Sequence, residues 1–201
     1  MHSLAIASAH LAHIDDDWAN LVRTIGTCTF EAKPQKSPYE ALIRAVAYQQ
    51  LSTKAGDAIL GKFIQTFGEF PDATTLRDAE FDKLRAVGFS GRKIETLKRI
   101  AEGTLNGLVP TQSAALQMEN EELIKRLVSI KGIGKWTVEM LLIFTLTRID
   151  VLPVDDWGIR QGYRRLKKLE ITPKPRQMAE IGQAWSPYRS IASWYLWRVP
   201  R

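Results

Sequence analysis

The sequence LVSIKGIGKWT at residues 127–137 decides the fold of this chain. A helix predicted to end near Leu127 runs into Gly132-Ile133-Gly134, and an apolar helix is predicted from Thr137 to Leu146. Glycine adopts positive φ readily and lets the backbone come close to another molecule. The second helix begins with unpaired N–H groups and with the positive end of its dipole, which suits a phosphate. The pattern therefore predicts a helix-hairpin-helix, which binds a nucleic-acid backbone without reading its sequence.

The predicted hairpin offers several groups to a phosphate. The N–H groups of Gly132, Gly134 and Trp136 are expected to make the contacts, and Thr137 is expected to add a hydroxyl. Lys135 adds a full positive charge beside the helix end. Gly-x-Gly taken alone equally fits an ordinary helix connection with a glycine cap, so the rest of the chain has to separate the two interpretations.

Composition excludes several classes of protein. The chain has 201 residues, of which 45% are hydrophobic and 25% charged, as in an ordinary globular protein. It has one cysteine, Cys28, which excludes an internal disulfide framework and a four-cysteine iron–sulfur cluster. No His, Cys or acidic motif has metal-ligand spacing, so we expect no catalytic metal.

The positive charge is concentrated in the second part of the sequence. Residues 1–120 hold 13 Lys and Arg against 14 Asp and Glu, whereas residues 121–201 hold 15 against 8. A basic half of this kind fits a polyanion partner. The run Arg164-Arg165 and Lys167-Lys168 taken alone fits a solvated helix face equally well.

No targeting or membrane segment is predicted. The N-terminus has no basic leader, and no apolar run reaches the length that spans a bilayer. We therefore expect no membrane partner and a cytoplasmic, nucleoid-associated protein.

Helix signals dominate the sequence. Ser37-Pro38-Tyr39-Glu40 is a helix start, with a serine cap and proline at the first helical position. Only residues 27–32 look strand-like, and only weakly. The predicted fold class is all-α.

A second motif follows the hairpin, the sequence DVLPVDDWGIR at residues 150–160. Together the two motifs resemble the helix-hairpin-helix, Gly/Pro, Asp superfamily of base-excision DNA glycosylases, and within it the 3-methyladenine DNA glycosylase II family, over roughly residues 37–200. The resemblance implies hydrolysis of the N-glycosidic bond of alkylated purines (3-methyladenine, 7-methylguanine type) in duplex DNA by base flipping. A related glycosylase of different base specificity and a non-catalytic helix-hairpin-helix DNA-binding module are the alternatives.

The resemblance also implies an architecture. It predicts two helical lobes, residues 37–153 with the hairpin and residues 1–36 plus 154–201, with the active-site cleft between them. It further implies a monomer, and a short form without the α/β domain that precedes the helical core in larger members.

The resemblance places the catalytic carboxylate at Asp156, twenty residues after Trp136 and three before Ile159. Asp155 is the rival, because Val154-Asp155 matches the start of the motif in the wider superfamily. Acidic residues also cap helices, and we assign that role to Asp155.

The family's base pocket corresponds to aromatic residues of this chain. The resemblance carries pocket tryptophans onto Trp136 and Trp197, with Tyr48 and Trp157 as further candidates, although any of them could instead be ordinary core residues. A side chain that intercalates into the base stack after flipping would be Gln50 or Leu51. Leu51 could alternatively be a hydrophobic contact of the following helix.

Two further features concern the hairpin. Family members that also nick the strand carry a lysine where this chain has Trp136, so the chain is predicted to be monofunctional and to leave an abasic site. The family's hairpin can also hold Na⁺ or K⁺ through main-chain oxygens, which here would be those of Val128, Ile130 and Ile133. We expect no other cofactor.

Overall fold

The structure, a computed structural model, describes residues 2–31 and 37–200, and all regular secondary structure in them is helical. In chain order the elements are α1 (His2–Ala12), α2 (Asp16–Ile25), α3 (Pro38–Tyr48), α4 (Thr53–Phe67), α5 (Ala73–Asp78), α6 (Phe81–Val87), α7 (Gly91–Leu105), α8 (Gln112–Gln117), α9 (Asn120–Val128), α10 (Lys135–Phe144), α11 (Trp157–Leu166), α12 (Pro175–Ile181), a 3₁₀ helix (Gly182–Trp185) and α13 (Arg189–Leu196). The all-α prediction is confirmed. Residues 27–31 of the weakly strand-like segment form no strand, and Ala32 lies outside the described residues.

The chain divides into two compact units. The terminal unit is Met1–Ala32 with Thr147–Arg201, and the central unit is Lys33–Leu146. The central unit contains α3 to α10, including the hairpin between α9 and α10. The boundary predicted after Pro153 falls inside the terminal unit, because the chain enters that unit at Thr147.

The start of α3 follows from local sequence in the central unit. The Ser37 hydroxyl accepts the backbone N–H of Glu40 over 3.2 Å, and Pro38 stands at the start of the helix. The apolar face of α3 is completely buried at Leu42 and Val46. At its other end the Lys93 ammonium donates to the carbonyl of Ala47 over 2.9 Å, which satisfies a helix-terminal acceptor.

Two helices of the terminal unit approach each other closely. A Cβ at Gly162 of α11 would lie 2.0 Å from the carbonyl oxygen of Leu196 in α13, so only glycine permits this approach. Buried aromatic residues fill the surrounding core, and the rings of Trp18 and Trp185 meet edge to face with centroids 5.5 Å apart. The first turn of α11 consequently lies close to Trp197, the residue that follows α13.

Part of the basic run in α11 is used within the terminal unit. The Lys167 ammonium lies 2.6 Å from Oδ2 of Asp15 and 2.9 Å from Oδ2 of Asp17. The Arg165 guanidinium donates to the carbonyl of Val199 over 3.3 Å. These two cations are therefore used in contacts within the unit, which neither a polyanion surface nor a solvated helix face describes.

None of the described helices is both long enough and apolar enough to cross a membrane.

Candidate functional site

The hairpin turn depends on glycine at position 132. Gly132 has φ +100°, and a Cβ there would lie 2.1 Å from the Thr96 hydroxyl oxygen of α7. The turn is anchored below by Ile130 and Ile133, which are buried and joined by a 3.0 Å bond from the Ile133 N–H to the Ile130 carbonyl. Gly132 itself is exposed, so the turn presents backbone at the surface.

Gly134 has a different role from the one that the sequence suggested. Its φ is −94°, not positive, and it is the N-cap of α10 without a side chain over the first turn. Of the two hairpin glycines, only Gly132 therefore uses the positive φ that glycine permits. Its lack of a side chain leaves room beside the helix end, where Lys135 is exposed and lies 3.7 Å from Oε1 of Glu139.

Thr137 does not lie on the hairpin surface. Only 4% of its surface is exposed, because it faces α3 and lines a cavity with Arg44 and Tyr48. Little of Thr137 is therefore at the surface, and the predicted contact between its hydroxyl and a DNA phosphate stays a prediction. Helical geometry agrees with this, since Thr137 lies about 160° around α10 from Lys135, which is exposed.

The turn between α3 and α4 contacts the hairpin. The Gln49 side-chain amide donates to the carbonyl of Gly132 over 3.3 Å. Gln50 follows with φ +57°, an uncommon conformation for a residue with a side chain, and Leu51 is 39% exposed. Both residues predicted to intercalate therefore project from a tight turn beside the hairpin.

A cavity of about 390 Å³ lies between α3 and α10 in the central unit. We call it the aromatic cavity; it is lined by Ala45, Tyr48, Gln49, Gln50, Trp136, Met140 and Phe144. Its volume falls in the range of small-molecule sites. The structure thus brings together Tyr48, Trp136 and Gln50, three residues that the sequence singled out separately.

Sequence reasoning missed two residues of this cavity, Met140 and Phe144. They follow Trp136 at intervals of four residues, which puts all three on one face of α10. That spacing was the available signal. Apolar residues at helical spacing are normally core residues, so this spacing alone does not indicate a cavity.

Tyr48 is held from two sides by neighbouring residues of α4. Its hydroxyl donates to a carboxylate oxygen of Asp57. A Cβ at Gly56 would lie 2.2 Å from Cδ1 of the tyrosine ring, so the ring rests directly on the backbone of α4. The hydrogen bond to Asp57, with a smaller contribution from burial, raises the pKa of Tyr48 above its usual value. Neither Gly56 nor Asp57 was anticipated from the sequence.

Asp156 is the N-cap of α11 in the terminal unit. Its Oδ1 accepts the backbone N–H of Ile159 over 2.8 Å and the indole N–H of Trp197 over 2.9 Å. The assignment of the capping role to Asp155 is therefore wrong; Asp155 is exposed and precedes the cap. Gly158 leaves room for this arrangement, because a Cβ there would lie 3.0 Å from Cδ1 of Trp197.

The two predicted pocket tryptophans of the terminal unit differ in environment. Trp197 is partly buried and hydrogen-bonded to Asp156. Trp157 is 62% exposed, with the Arg160 guanidinium 5.5 Å from its ring centroid. The pocket roles of both residues stay predictions.

Metal-ligand geometry is not found within residues 2–31 and 37–200, where no three His, Cys, Asp or Glu side chains are grouped so that they could hold an ion.

Known proteins match this chain over nearly its whole length. A family model described as HhH-GPD superfamily base excision DNA repair protein matches residues 43–187. DNA-3-methyladenine glycosylase 1 of Schizosaccharomyces pombe is 48% identical over 202 residues, which cover 99% of this chain and 89% of that protein. The alkylbase DNA glycosidase-like protein mag2 of the same organism is 36% identical and covers 97% of this chain.

Solved structures of DNA glycosylases also match this chain. The S. pombe 3-methyladenine DNA glycosylase Mag1 in complex with abasic DNA matches with a TM-score of 0.89, over 96% of this chain and 95% of that one. A DNA-3-methyladenine glycosidase from Bacillus halodurans matches with a TM-score of 0.83 at 31% identity, over 95% and 88%.

Proposed function

Since the chain belongs to the HhH-GPD superfamily of base excision DNA repair proteins, we propose that it is a DNA glycosylase that hydrolyses the N-glycosidic bond of alkylated purines in duplex DNA. The main observation in favour of this function is the position of the Asp156 carboxylate. It lies at a helix N-terminus, where one of its oxygens accepts two hydrogen bonds. The similarity to enzymes named for 3-methyladenine supports the choice of substrate.

Asp156 is the proposed catalytic residue. Cleavage of an N-glycosidic bond leaves positive charge at C1′ of the sugar, which a fixed carboxylate stabilises. The carboxylate can also orient the attacking water. The bonds from Ile159 and Trp197 support this role, because they fix the orientation of the carboxylate before substrate binds.

The aromatic cavity is the proposed binding site for the flipped base. Chemistry on a base inside a duplex requires that the nucleotide leave the stack. Tyr48 and Trp136 supply aromatic surface to the base, and an N3- or N7-alkylated purine is positively charged, so it gains cation–π attraction of about 0.5–2 kcal/mol. Such a base is also a good leaving group, so no strong general acid is required. We assign Trp197 and Trp157 to further base contacts.

The hairpin is the proposed contact with the DNA backbone. Gly132 and Gly134 present main-chain N–H groups, and Lys135 adds positive charge beside the start of α10. Gln50 and Leu51, on the exposed turn next to the hairpin, are proposed to fill the space that the flipped nucleotide leaves.

We further propose that the enzyme is monofunctional. Trp136 stands where strand-nicking relatives have a nucleophilic lysine, and the adjacent Lys135 is displaced from it by about 100° around α10. The product is then an abasic site in an intact strand. Incubation with borohydride, which traps the imine of a nicking enzyme, is expected to yield no covalent protein–DNA adduct.

A monovalent cation at the hairpin fits the residues present. Val128 ends α9, so its carbonyl has no partner within the helix, and the Ile130 carbonyl keeps a second lone pair beside its bond to the Ile133 N–H. With the Ile133 carbonyl these oxygens would hold Na⁺ or K⁺, which adds positive charge for DNA. If so, DNA affinity falls when tetramethylammonium replaces K⁺ at equal ionic strength.

As a DNA repair enzyme the protein is proposed to act as a monomer at the nucleoid in the cytoplasm. Light scattering on the purified protein, with and without DNA, checks the monomer; a dimer would contradict it.

The direct test is base release. Purified protein, Asp156→Asn and Asp155→Asn are incubated in EDTA with duplex DNA containing 3-methyladenine, 7-methylguanine or hypoxanthine, and chromatography identifies the free bases. We expect the wild type and Asp155→Asn to release methylpurines without nicks, and Asp156→Asn to be inactive.

The other outcomes select the alternatives. Release of only the neutral base would indicate a related glycosylase of different specificity. Binding to DNA without release of any base would indicate a non-catalytic DNA-binding module.

A further inference from the structure

Tyr48 separates two cavities of the central unit. It lines the aromatic cavity with Trp136 and also a neighbouring cavity of about 340 Å³ that Thr137 and Arg44 line. A movement of this ring would change both cavities. The groups that hold Tyr48 therefore determine the shape and charge of the base site.

The ring is held by two consecutive residues of α4. The Gly56 backbone lies so close to one face of the Tyr48 ring that no side chain fits at position 56. Asp57 accepts a hydrogen bond from the Tyr48 hydroxyl. Asp57 is exposed at the protein surface, so its interaction with Tyr48 does not serve core packing. The contact instead places the negatively charged Asp57 carboxylate next to Tyr48, which lines the aromatic cavity.

We propose that Asp57 is a positioning residue that acts through Tyr48 to make the aromatic cavity prefer positively charged bases over neutral ones. The inference rests on the proposed function, because it takes the cavity as the base site. A phenol that donates to a carboxylate gains electron density, so its ring face attracts a cation more strongly.

Arg44, the cation that acts on the Tyr48 hydroxyl, does not cancel this effect. Arg44 lines the neighbouring cavity and would oppose a cationic base, but its Nε lies 2.7 Å from Oε1 of Glu40. That pair is close to neutral. The raised pKa of Tyr48 agrees with a phenol that keeps its proton and donates a hydrogen bond to Asp57.

Affinity for uncleavable DNA tests the preference without requiring catalysis. Duplexes carry a 2′-fluoro nucleotide, which resists glycosidic cleavage, with either cationic 7-methylguanine or neutral hypoxanthine as the base. The ratio of the two dissociation constants is measured for the wild type, Asp57→Asn, Tyr48→Phe and the double variant. Asp57→Asn keeps an acceptor for Tyr48 and removes only the charge. Asp82→Asn, an exposed aspartate of α6 in the same unit, is the control for a general loss of negative charge.

We expect Asp57→Asn to lower the preference for the cationic base about 2- to 5-fold, the size of a cation–π contact at an exposed site. Tyr48→Phe should lower it similarly, the double variant no further, and Asp82→Asn not at all. An unchanged ratio, or equal loss of affinity for both duplexes, overturns the inference. A wild type that binds both duplexes yet releases no methylpurine from lesion-containing DNA without the 2′-fluoro group would count against the proposed function alone.

Discussion

The indole N–H of Trp197 donates to Oδ1 of Asp156 over 2.9 Å, and the backbone N–H of Ile159 donates to the same oxygen over 2.8 Å. One carboxylate oxygen thus caps α11 and receives a side chain that follows α13. The proposed catalytic group is also a structural residue, so a substitution must separate its charge from its capping role.

Replacement of Asp156 by asparagine and by alanine makes this separation. Asparagine caps helices as well as aspartate does and keeps an oxygen for Trp197, so Asp156→Asn should fold with nearly unchanged stability. Its rate of base release should fall by at least about 100-fold, because the charge at C1′ is no longer balanced. Asp156→Ala should lose activity to the same extent and also about 1–2 kcal/mol of stability. Single-turnover base release and urea unfolding measure the two effects.

The neighbouring Asp155 supplies the control for this pair of variants. It is exposed, and Asp155→Asn should leave both the rate and the unfolding free energy close to those of the wild type. Inactivity of Asp155→Asn with an active Asp156→Asn would show that the catalytic role belongs to the other aspartate.

Trp197 is predicted both to stack against a base and to donate to Asp156, and two substitutions distinguish these roles. Trp197→Phe keeps an aromatic ring and removes the N–H donor, whereas Trp197→Leu removes both. If orientation of Asp156 dominates, both variants should release base about tenfold more slowly, which corresponds to the loss of one hydrogen bond to a charged group. A Trp197→Phe variant with the wild-type rate, beside a slow Trp197→Leu, would leave stacking as the only role.

The sequence predicted the all-α fold and most members of the candidate site, because helix starts and the two motifs are local patterns. It assigned the capping role to Asp155, whereas Asp156 is the cap. Both acids precede Trp157, and the choice depends on Trp197, which lies 41 residues away in sequence. A contact of that kind leaves no local signal.

The two hairpin glycines show the same limit. Gly132 and Gly134 look equivalent in sequence, but only Gly132 has positive φ, at a place where the distant Thr96 leaves no room for a side chain. The bond between Tyr48 and Asp57 likewise depends on how α4 packs beside the end of α3. Tertiary packing, which no period or cap encodes, determined both features.

Gly132→Ala should destabilise the hairpin. The φ of +100° and the 2.1 Å approach to the Thr96 hydroxyl together should lower the unfolding free energy by about 1–3 kcal/mol. Affinity for duplex DNA should fall alike for all sequences, because backbone contacts carry no sequence information. Chemical unfolding and fluorescence anisotropy measure the two effects. Gly134→Ala is the control for strain and steric conflict, since its φ is −94° and a Cβ there meets nothing within 4 Å, so it should lose only the small difference between glycine and alanine as N-cap. Equal destabilisation by the two substitutions would contradict the argument.

A charged pair joins the segment before α11 to the start of α13. Asp150 accepts from Nε of Arg189 over 2.7 Å and from its backbone N–H over 3.2 Å, and the Ser186 hydroxyl donates to the same carboxylate over 3.0 Å. Burial alone would raise the pKa of Asp150, but the hydrogen bonds from Arg189 and Ser186 outweigh it and hold the pKa below its usual value. Folding therefore favours the ionised carboxylate.

This lowered pKa predicts a pH-dependent contribution to stability. An aspartate whose pKa is lower in the folded state stabilises the protein above its unfolded pKa, about 3.9, and loses that contribution as the pH falls through the folded pKa. Asp150→Asn should thus lower the unfolding free energy by about 1–2 kcal/mol at pH 7 and pH 5, allowing for partial exposure of the pair. The difference from wild type should shrink below pH 4, as urea unfolding at each pH measures.

Glu95→Gln, which removes the exposed pair with Arg99, should change stability by less than about 0.5 kcal/mol. A difference for Asp150→Asn that stays constant from pH 7 to pH 3 would mean that shape, not charge, gives this pair its effect.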